Sequence, residues 1–197
     1  MKFELGAKKM NKKHKLYIIF CSIILLFLLT GCVDITADYD LKYNNIGQLT
    51  YIITGENIFL QGIYNSVVEQ QIDLQSIYLN NDTLFIKKQI SDETYRMKQY
   101  FELWKFFKKT YITEVLVERP SDFGYSLPVK VIISVPGQIQ ELTTYPYSNL
   151  NQYIDRNSKK YIELHKKCKI IDNKVVCALL ADEEHLIFGI RSSCRLC

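Results

Sequence analysis

Apolar and polar residues alternate without interruption over residues 33–43, with the apolar ones at odd positions. Alternation over this length predicts a β-strand that buries one face and exposes the other. A second run, 48–54, also carries its apolar residues at odd positions, and the turn-forming stretch 44–47 separates the two runs. The pattern therefore predicts a β-hairpin that begins directly after Cys32.

The register of this hairpin follows from its buried face. If both sets of odd positions point into one core, residues that face each other must have numbers with an even sum, because a one-residue slip would turn one set outward. We expect Tyr39 opposite Tyr51 and Leu41 opposite Leu49, with Gly47 at a bulge in a short loop.

Further strand patterns follow along the chain. The stretch 76–87 reads as a second hairpin around Asn81 and Asp82, and strands are expected at 114–118, 129–135 and 138–144, with Pro136 and Gly137 ending the second of these. Asn81 also begins a glycosylation sequon, which we interpret only as a turn.

Two segments show helical spacing instead. Apolar residues within 92–109, Trp104 among them, follow a period near 3.6 and predict the main amphipathic helix, with Ser91 as its N-cap. We expect this helix to pack on the sheet, and the alternative is that it lies on anionic lipid headgroups. A weaker helix is expected at 148–167, with a break at 156–158. The order of strands and helices predicts an α+β fold with an antiparallel sheet.

The N-terminus has the layout of a signal peptide. Six lysines precede an apolar run at 16–29, which is shorter than the roughly 20 residues that a spanning helix needs. Translation could start at Met1 or at Met10, because the residues after Met10 already form a basic segment.

The residues Leu29, Thr30, Gly31 and Cys32 resemble the lipobox of bacterial lipoproteins. By that resemblance, cleavage falls between Gly31 and Cys32, and the Cys32 sulfur carries a diacylglyceryl thioether with further acylation, such as palmitate, at the new N-terminus. Two or three acyl chains anchor a protein almost permanently, whereas one is marginal. The chain would then comprise a leader, 1–31, and one globular domain, 32–197.

Removal of the leader changes the charge balance. The whole chain has 25 basic and 21 acidic residues, but residues 1–31 hold six of the bases and one acid, which leaves 19 and 20. The basic character belongs to the leader, so nucleic acid is not expected as a partner.

Four more cysteines remain after Cys32, an even number, as expected for disulfides in an exported protein. A two-residue turn at 172–173 places Cys168 directly opposite Cys177, within the distance that a disulfide can bridge.

Cys194 and Cys197 form a CxxC near the C-terminus. We favour a structural disulfide, either between them or across to the 168–177 hairpin. The alternatives are a redox centre, or a zinc site made by the four cysteines or including His165.

The chain matches none of the common catalytic motifs, so no enzymatic activity and no cofactor are expected. His165 is interpreted as a solvated helix residue, and His185 belongs to no recognisable constellation. Asp34, Asp38 and Asp40 admit a calcium site, but alternate acids on a strand are typical of an exposed face, so no metal is expected.

Two stretches narrow the choice of function. "GCVDITADYDLKYNNIGQLTYII" resembles the start of LppM-type lipoproteins, and "VKVIISVPGQIQ" with "CKIIDNKVVCALLADEEHLIFGI" is similar to their later section. The resemblance implies a curved sheet, no enzymatic chemistry and binding of a membrane lipid or glycolipid. The four later cysteines, and the lack of a C-terminal transmembrane segment, depart from that pattern.

The expected protein is therefore a non-catalytic, extracytoplasmic lipoprotein. Its membrane is the outer leaflet of the cytoplasmic membrane, or an outer membrane if the cell has one. A concave face that includes Tyr39, Tyr51 and Trp104 would bind the lipid or glycolipid. The alternative is an accessory lipoprotein of envelope assembly or secretion that acts through contacts with an envelope protein.

Overall fold

The computed structural model describes residues 33–69, 74–91, 93–100, 109–119, 127–144, 156–183 and 185–194. Within these residues, β-strands predominate and two helices accompany them. The elements in chain order are β1 Asp34–Asp40, β2 Gly47–Thr54, α1 Asn57–Glu69, β3 Ser76–Asn80, β4 Thr83–Ile90, β5 Tyr95–Tyr100, β6 Lys109–Glu118, β7 Val129–Ser134, β8 Gln138–Thr143, α2 Lys159–Lys167, β9 Cys168–Ile171, β10 Lys174–Leu179 and β11 His185–Cys194.

The strands form two sheets, and the fold is α+β, as predicted. The larger sheet has the order β3-β4-β2-β1-β7-β10-β9, and the smaller one has the order β5-β6-β11-β8. Neighbouring strands are antiparallel except for β1 and β7, which run parallel in the middle of the larger sheet. The predicted antiparallel sheet is therefore correct for all pairs but this one.

The first hairpin keeps the predicted faces but not the predicted pairs. Tyr39 lies opposite Leu49 and Ala37 opposite Tyr51. The residue numbers of each facing pair therefore have an even sum, as predicted, but that sum is smaller by two than expected. The loop is longer than predicted because Leu41 leaves the hairpin and donates its backbone N–H to the Ser134 carbonyl of β7, at 3.0 Å.

Tyr95 and Tyr39 connect the two sheets. The Tyr95 hydroxyl lies 3.2 Å from the backbone nitrogen of Lys42 and 3.1 Å from its carbonyl oxygen, so it can accept from one and donate to the other. The Tyr39 hydroxyl bonds the backbone of Glu118 in β6. A side chain on Gly47 would come within 3.0 Å of the Tyr95 ring, which explains the glycine at the start of β2.

The predicted helix at 92–109 is wrong where the structure describes it. Residues 95–100 form β5, which pairs with β6 along its whole length, and Lys109 already belongs to β6. Tyr95 is buried and Arg96 and Lys98 are exposed, so the same residues also fit a period of two, and pairing with β6 selects it. The rest of the predicted helix, including Trp104, lies outside the described residues.

Helix α1 is not predicted from the sequence. It buries Leu60, Ile63 and Val67 at helical spacing and packs on β3 and β4. Its β-branched residues and Gly62 favour a helix only weakly, so packing on the sheet stabilises it more than its intrinsic propensity does.

Helix α2 corresponds to the second half of the helix predicted at 148–167. It starts where the break is expected, because the Ser158 hydroxyl accepts a hydrogen bond from the Tyr161 backbone N–H at 3.1 Å. Residues 145–155 lie outside the described residues.

The predicted hairpins at 76–87 and 168–177 are confirmed. The turn residues Asn81, Asp172 and Asn173 have φ of 37°, 48° and 59°, a region that Asn and Asp tolerate better than most side chains. Cys168 pairs with Cys177 across β9 and β10, and their sulfurs form a disulfide with a Cα–Cα distance of 4.1 Å. The local pattern alone is sufficient to place this cross-link.

Candidate functional site

A cleft of about 640 Å³ opens at the end of the larger sheet where β1 begins. It crosses the neighbouring strands β1, β7, β10 and β9, and it combines basic side chains with apolar ones. Its lining consists of Asp34, Ile35, Thr36, Pro128, Val129, Lys130, Lys167, Lys169, Ile171, Val176, Cys177 and Ala178. We refer to it as the lysine cleft.

Strand register brings two of the lysines to one face of the sheet. Lys130 of β7 lies between Thr36 of β1 and Ala178 of β10, and Lys169 of β9 lies opposite Val176 of β10. Both lysines are exposed, and the residues on either side of Lys130 are buried, so Lys130 points away from the core. Cations and apolar side chains therefore share the outer face here.

The third lysine is held in a network beside the cleft. Lys167 forms an ion pair with Glu183, whose other carboxylate oxygen accepts the Leu180 backbone N–H at 2.9 Å. Arg119 donates to three carbonyl oxygens, those of Glu183 at 2.9 Å, Leu127 at 2.6 Å and Leu180. These bonds fix the loop after β10 next to the start of β7.

The charge of the lysine cleft is positive. Among the described residues, three lysines line it against one carboxylate, that of Asp34. Lys167 is paired with Glu183, and Lys130 and Lys169 add two further cations. A lining of this composition suits a ligand with an acidic group and an apolar part.

In the part of the chain that the structure describes, the acidic residues of β1 belong to no larger cluster of acidic, His or Cys side chains. Within the described ranges, no three side chains of the metal-binding types converge. Asp40 forms an ion pair with Lys42 at 2.6 Å. Partial burial raises the pKa of Asp38, an effect that Lys174 opposes and Asp40 reinforces.

A second, smaller cleft of about 290 Å³ lies on the four-stranded sheet, between the start of β5, β6 and β11. Glu93, Arg96 and Glu114 contribute its charged side chains. One carboxylate oxygen of Glu114 is buried without a hydrogen-bond partner. The charges of this cleft are mixed, so it offers a less distinct binding chemistry than the lysine cleft.

The two tyrosines predicted to contact a ligand are core residues. Tyr39 is 1% exposed and Tyr51 is 4% exposed, and neither lines one of the two clefts. Burial raises the pKa of the Tyr39 hydroxyl, and the backbone hydrogen bond at Glu118 acts in the opposite direction. The structure therefore does not favour the predicted ligand role of Tyr39 and Tyr51, while Trp104 lies outside the described residues.

The remaining predicted residues are placed as follows. His165 is an exposed residue of α2 whose ring lies 4.1 Å from that of Tyr161, centroid to centroid, which fits a solvated helix position. Cys194 is disulfide-bonded, and its partner is not among the described residues. Gly31, Cys32 and Cys197 also lie outside the described residues, so lipidation, cleavage and the pairing of Cys197 stay predictions.

The lysine cleft itself is not predicted from the sequence. Lys130 and Lys169 are single lysines on different strands, and an exposed lysine on a strand is common. The order of β1, β7, β10 and β9 in the sheet brings the two lysines together. This order is a property of the tertiary fold and not of the local sequence.

These features define an α+β protein with two antiparallel-rich sheets and a basic surface cleft, and such an architecture can serve many functions. Among the described residues, no helix is long and apolar enough to span a bilayer. No family model matches the chain, and no curated protein matches it either.

A solved structure shows a weak resemblance. The folded domain of the lipoprotein LppM from Mycobacterium tuberculosis, determined by NMR, aligns with 83% of this chain and 90% of its own length, at 7% identity and a TM-score of 0.32. The resemblance expected from the sequence is thus matched only weakly in structure, and no function is transferred from it.

Proposed function

We propose that this chain is an exported bacterial lipoprotein, anchored through Cys32, that acts by binding rather than by catalysis. The observation that carries the proposal is the disulfide between Cys168 and Cys177. Disulfides form and persist in oxidising, extracytoplasmic compartments and are rare in the cytosol of most bacteria. A leader that ends in a lipobox is the sequence feature that leads to the same compartment. The absence of catalysis belongs to the proposal because the sequence matches none of the common catalytic motifs.

The proposed ligand is a lipid or glycolipid with an acidic headgroup, bound in the lysine cleft. Lys130 and Lys169 supply cations on the outer face, and Ile171 and Val176 supply apolar surface beside them. The cleft also includes Asp34, which follows Cys32 by two residues, so a protein anchored there holds the cleft close to membrane lipids.

The anchor is tested by mass spectrometry of the mature N-terminus from cells labelled with a fatty acid. We expect a chain that starts at acylated Cys32, and reduction should add the mass of two hydrogen atoms for each disulfide. The Cys32→Ala variant serves as the control, and it should carry no label and retain its leader. A native chain that keeps residues 1–31, or has a free thiol at Cys32, contradicts the proposal.

The ligand is tested with the double variant Lys130→Gln/Lys169→Gln. The matched control is Lys98→Gln/Lys160→Gln, which removes two exposed lysines outside the cleft. Lipid that copurifies with each full-length protein is extracted and quantified by mass spectrometry. We expect acidic lipid to fall in the cleft variant alone. Equal amounts of acidic lipid in both variants and the wild type contradict the ligand assignment. That result does not bear on the proposed anchor.

A second candidate function is that of an envelope accessory protein. The outer face of the larger sheet carries a row of apolar side chains, Tyr78, Phe85 and Ile52, on paired strands. The rings of Tyr78 and Phe85 lie 6.3 Å apart, and Tyr78 is exposed. Crosslinking in cells followed by purification distinguishes this function, because one recurring partner should be lost with Tyr78→Glu and kept with the double lysine variant.

A further inference from the structure

Several strands of the larger sheet end together beside Asp34. Asp34 pairs with Thr54 at the end of β2, and Thr54 pairs with Thr83 at the start of β4. On the other side, β7 starts next to β1 because the two are parallel, and β10 ends beside that start. We call this end of the sheet the anchor-proximal rim, defined as residues 34, 54–58, 80–83, 128–129 and 179–180.

Covalent geometry keeps this rim near Cys32. Cys32 precedes Asp34 by two residues, and consecutive Cα atoms are 3.8 Å apart, so the two Cα atoms are separated by at most about 7 Å. The opposite end of β1 is six residues further along the strand, about 20 Å away. The attachment point of a lipid on Cys32 is therefore closer to the rim than to the opposite end of β1.

The rim carries an isoleucine that the fold leaves in the open. Ile58, in the first turn of α1, is 87% exposed, the highest value among the exposed large apolar residues of the described chain. The preceding Asn57 donates a side-chain hydrogen bond to the Asn81 carbonyl at 2.7 Å, which fixes the start of α1 at the rim. Leu180, on the other side of β1, is also exposed.

Single exposed apolar residues are ordinary on protein surfaces. A lipid on Cys32, however, would bring Ile58 and Leu180 close to the bilayer. An apolar side chain held at the boundary between headgroups and acyl chains gains by entering it. The charges of the rim decide only which headgroups it would not select. Asp34, Glu56 and Asp82 are acidic and exposed, so the rim has no excess of cations that would select anionic lipid.

We infer that the anchor-proximal rim is the membrane-contact face of the protein and that Ile58 enters the interfacial region of the bilayer. The inference rests on the proposed function, because it requires the lipid on Cys32. The partner is the bilayer surface itself, and insertion of Ile58 does not depend on anionic headgroups, whereas the neighbouring lysine cleft is the site proposed for an acidic headgroup.

The test compares Ile58 with Ile46, an exposed isoleucine in the loop at the other end of β1. Full-length acylated protein with Ile58→Cys or Ile46→Cys is labelled with the dye NBD without reductant and reconstituted into phosphatidylcholine vesicles. We expect a blue shift and quenching by acyl-chain nitroxide lipids for the dye at position 58, and neither effect at position 46. Adding phosphatidylglycerol should change neither result.

A label-free measurement complements the dye. Hydrogen exchange of the backbone around residue 58 should be slower in vesicles than in detergent, and Ile58→Ser should reduce that difference while Ile46→Ser leaves it unchanged. Acylated protein that floats with vesicles but shows position 58 as accessible as position 46 overturns the inference alone. Protein that carries no acyl chain and does not float overturns the inference and the proposed anchor together.

Discussion

Replacing Cys168 and Cys177 together removes the covalent link that closes the β9–β10 hairpin at its open end. In the loop-entropy account, cross-linking two residues that are nine positions apart stabilises the folded chain by about 2.7 kcal/mol. Both cysteine side chains are buried, so alanine at the two positions also removes packed atoms. We therefore expect Cys168→Ala/Cys177→Ala to lose more than about 2.7 kcal/mol of unfolding free energy.

The double variant Cys168→Val/Cys177→Val separates the two contributions. Valine restores the buried volume that alanine removes and suits a strand, so the valine variant should lose less than the alanine variant, and at least the cross-link, about 2.7 kcal/mol. The assay is equilibrium urea unfolding of the full-length protein in detergent without reductant, so that the disulfide of Cys194 stays intact. A valine variant within about 0.5 kcal/mol of the wild type, with an unchanged slope, would refute this reasoning, because such a difference is no larger than that of an ordinary surface substitution.

Three further predictions use the same unfolding assay. Gly137→Ala should destabilise the protein by more than about 1 kcal/mol, because φ is 82° and a Cβ would lie 2.6 Å from a backbone oxygen. Gly62→Ala, which has open space in α1, should stabilise it by about 0.5–1 kcal/mol. Similar changes in unfolding free energy for both variants would contradict the geometry. Burial raises the pKa of Asp38, so the ionised carboxylate destabilises the folded protein at pH values above the ordinary carboxyl pKa of about 3.9. Asp38→Asn should therefore stabilise the protein near pH 7 but not at pH 3. An effect that does not depend on pH refutes the assignment. Tyr39→Phe should lose about 1 kcal/mol with its hydrogen bond, yet leave copurifying lipid unchanged; a fall in lipid with folding intact would favour the ligand role first predicted for this tyrosine.

Short-range patterns predict the hairpins well, for reasons visible in single residues. The turn of the 168–177 hairpin needs two residues at positive φ, and Asp172 and Asn173 tolerate that conformation, so two residues fix the loop length and the register of the strands. The pairing of the two cysteines follows from that register by counting.

The errors occur where tertiary contacts decide between two patterns. The segment that contains β5 fits both a helix and a strand, and only its pairing with β6 distinguishes them. The first hairpin is offset by two residues because Leu41 bonds to Ser134, which is distant in the sequence. The parallel pairing of β1 with β7 is equally invisible to local patterns, and the lysine cleft depends on it.

The packing of β1 also limits where a ligand can bind. Its odd positions lie in the core, so a lipid could enter between the sheets only by displacing side chains such as Tyr39. Removing a large buried aromatic from its contacts costs about 3–5 kcal/mol, an amount that binding would first have to offset. The even positions are exposed or only partly buried, so a ligand that contacts them displaces no core side chain. Thr36 is one of them and lies next to Lys130 in the lysine cleft. The ligand site proposed above, the lysine cleft, lies on this outer face and requires no core side chain to move.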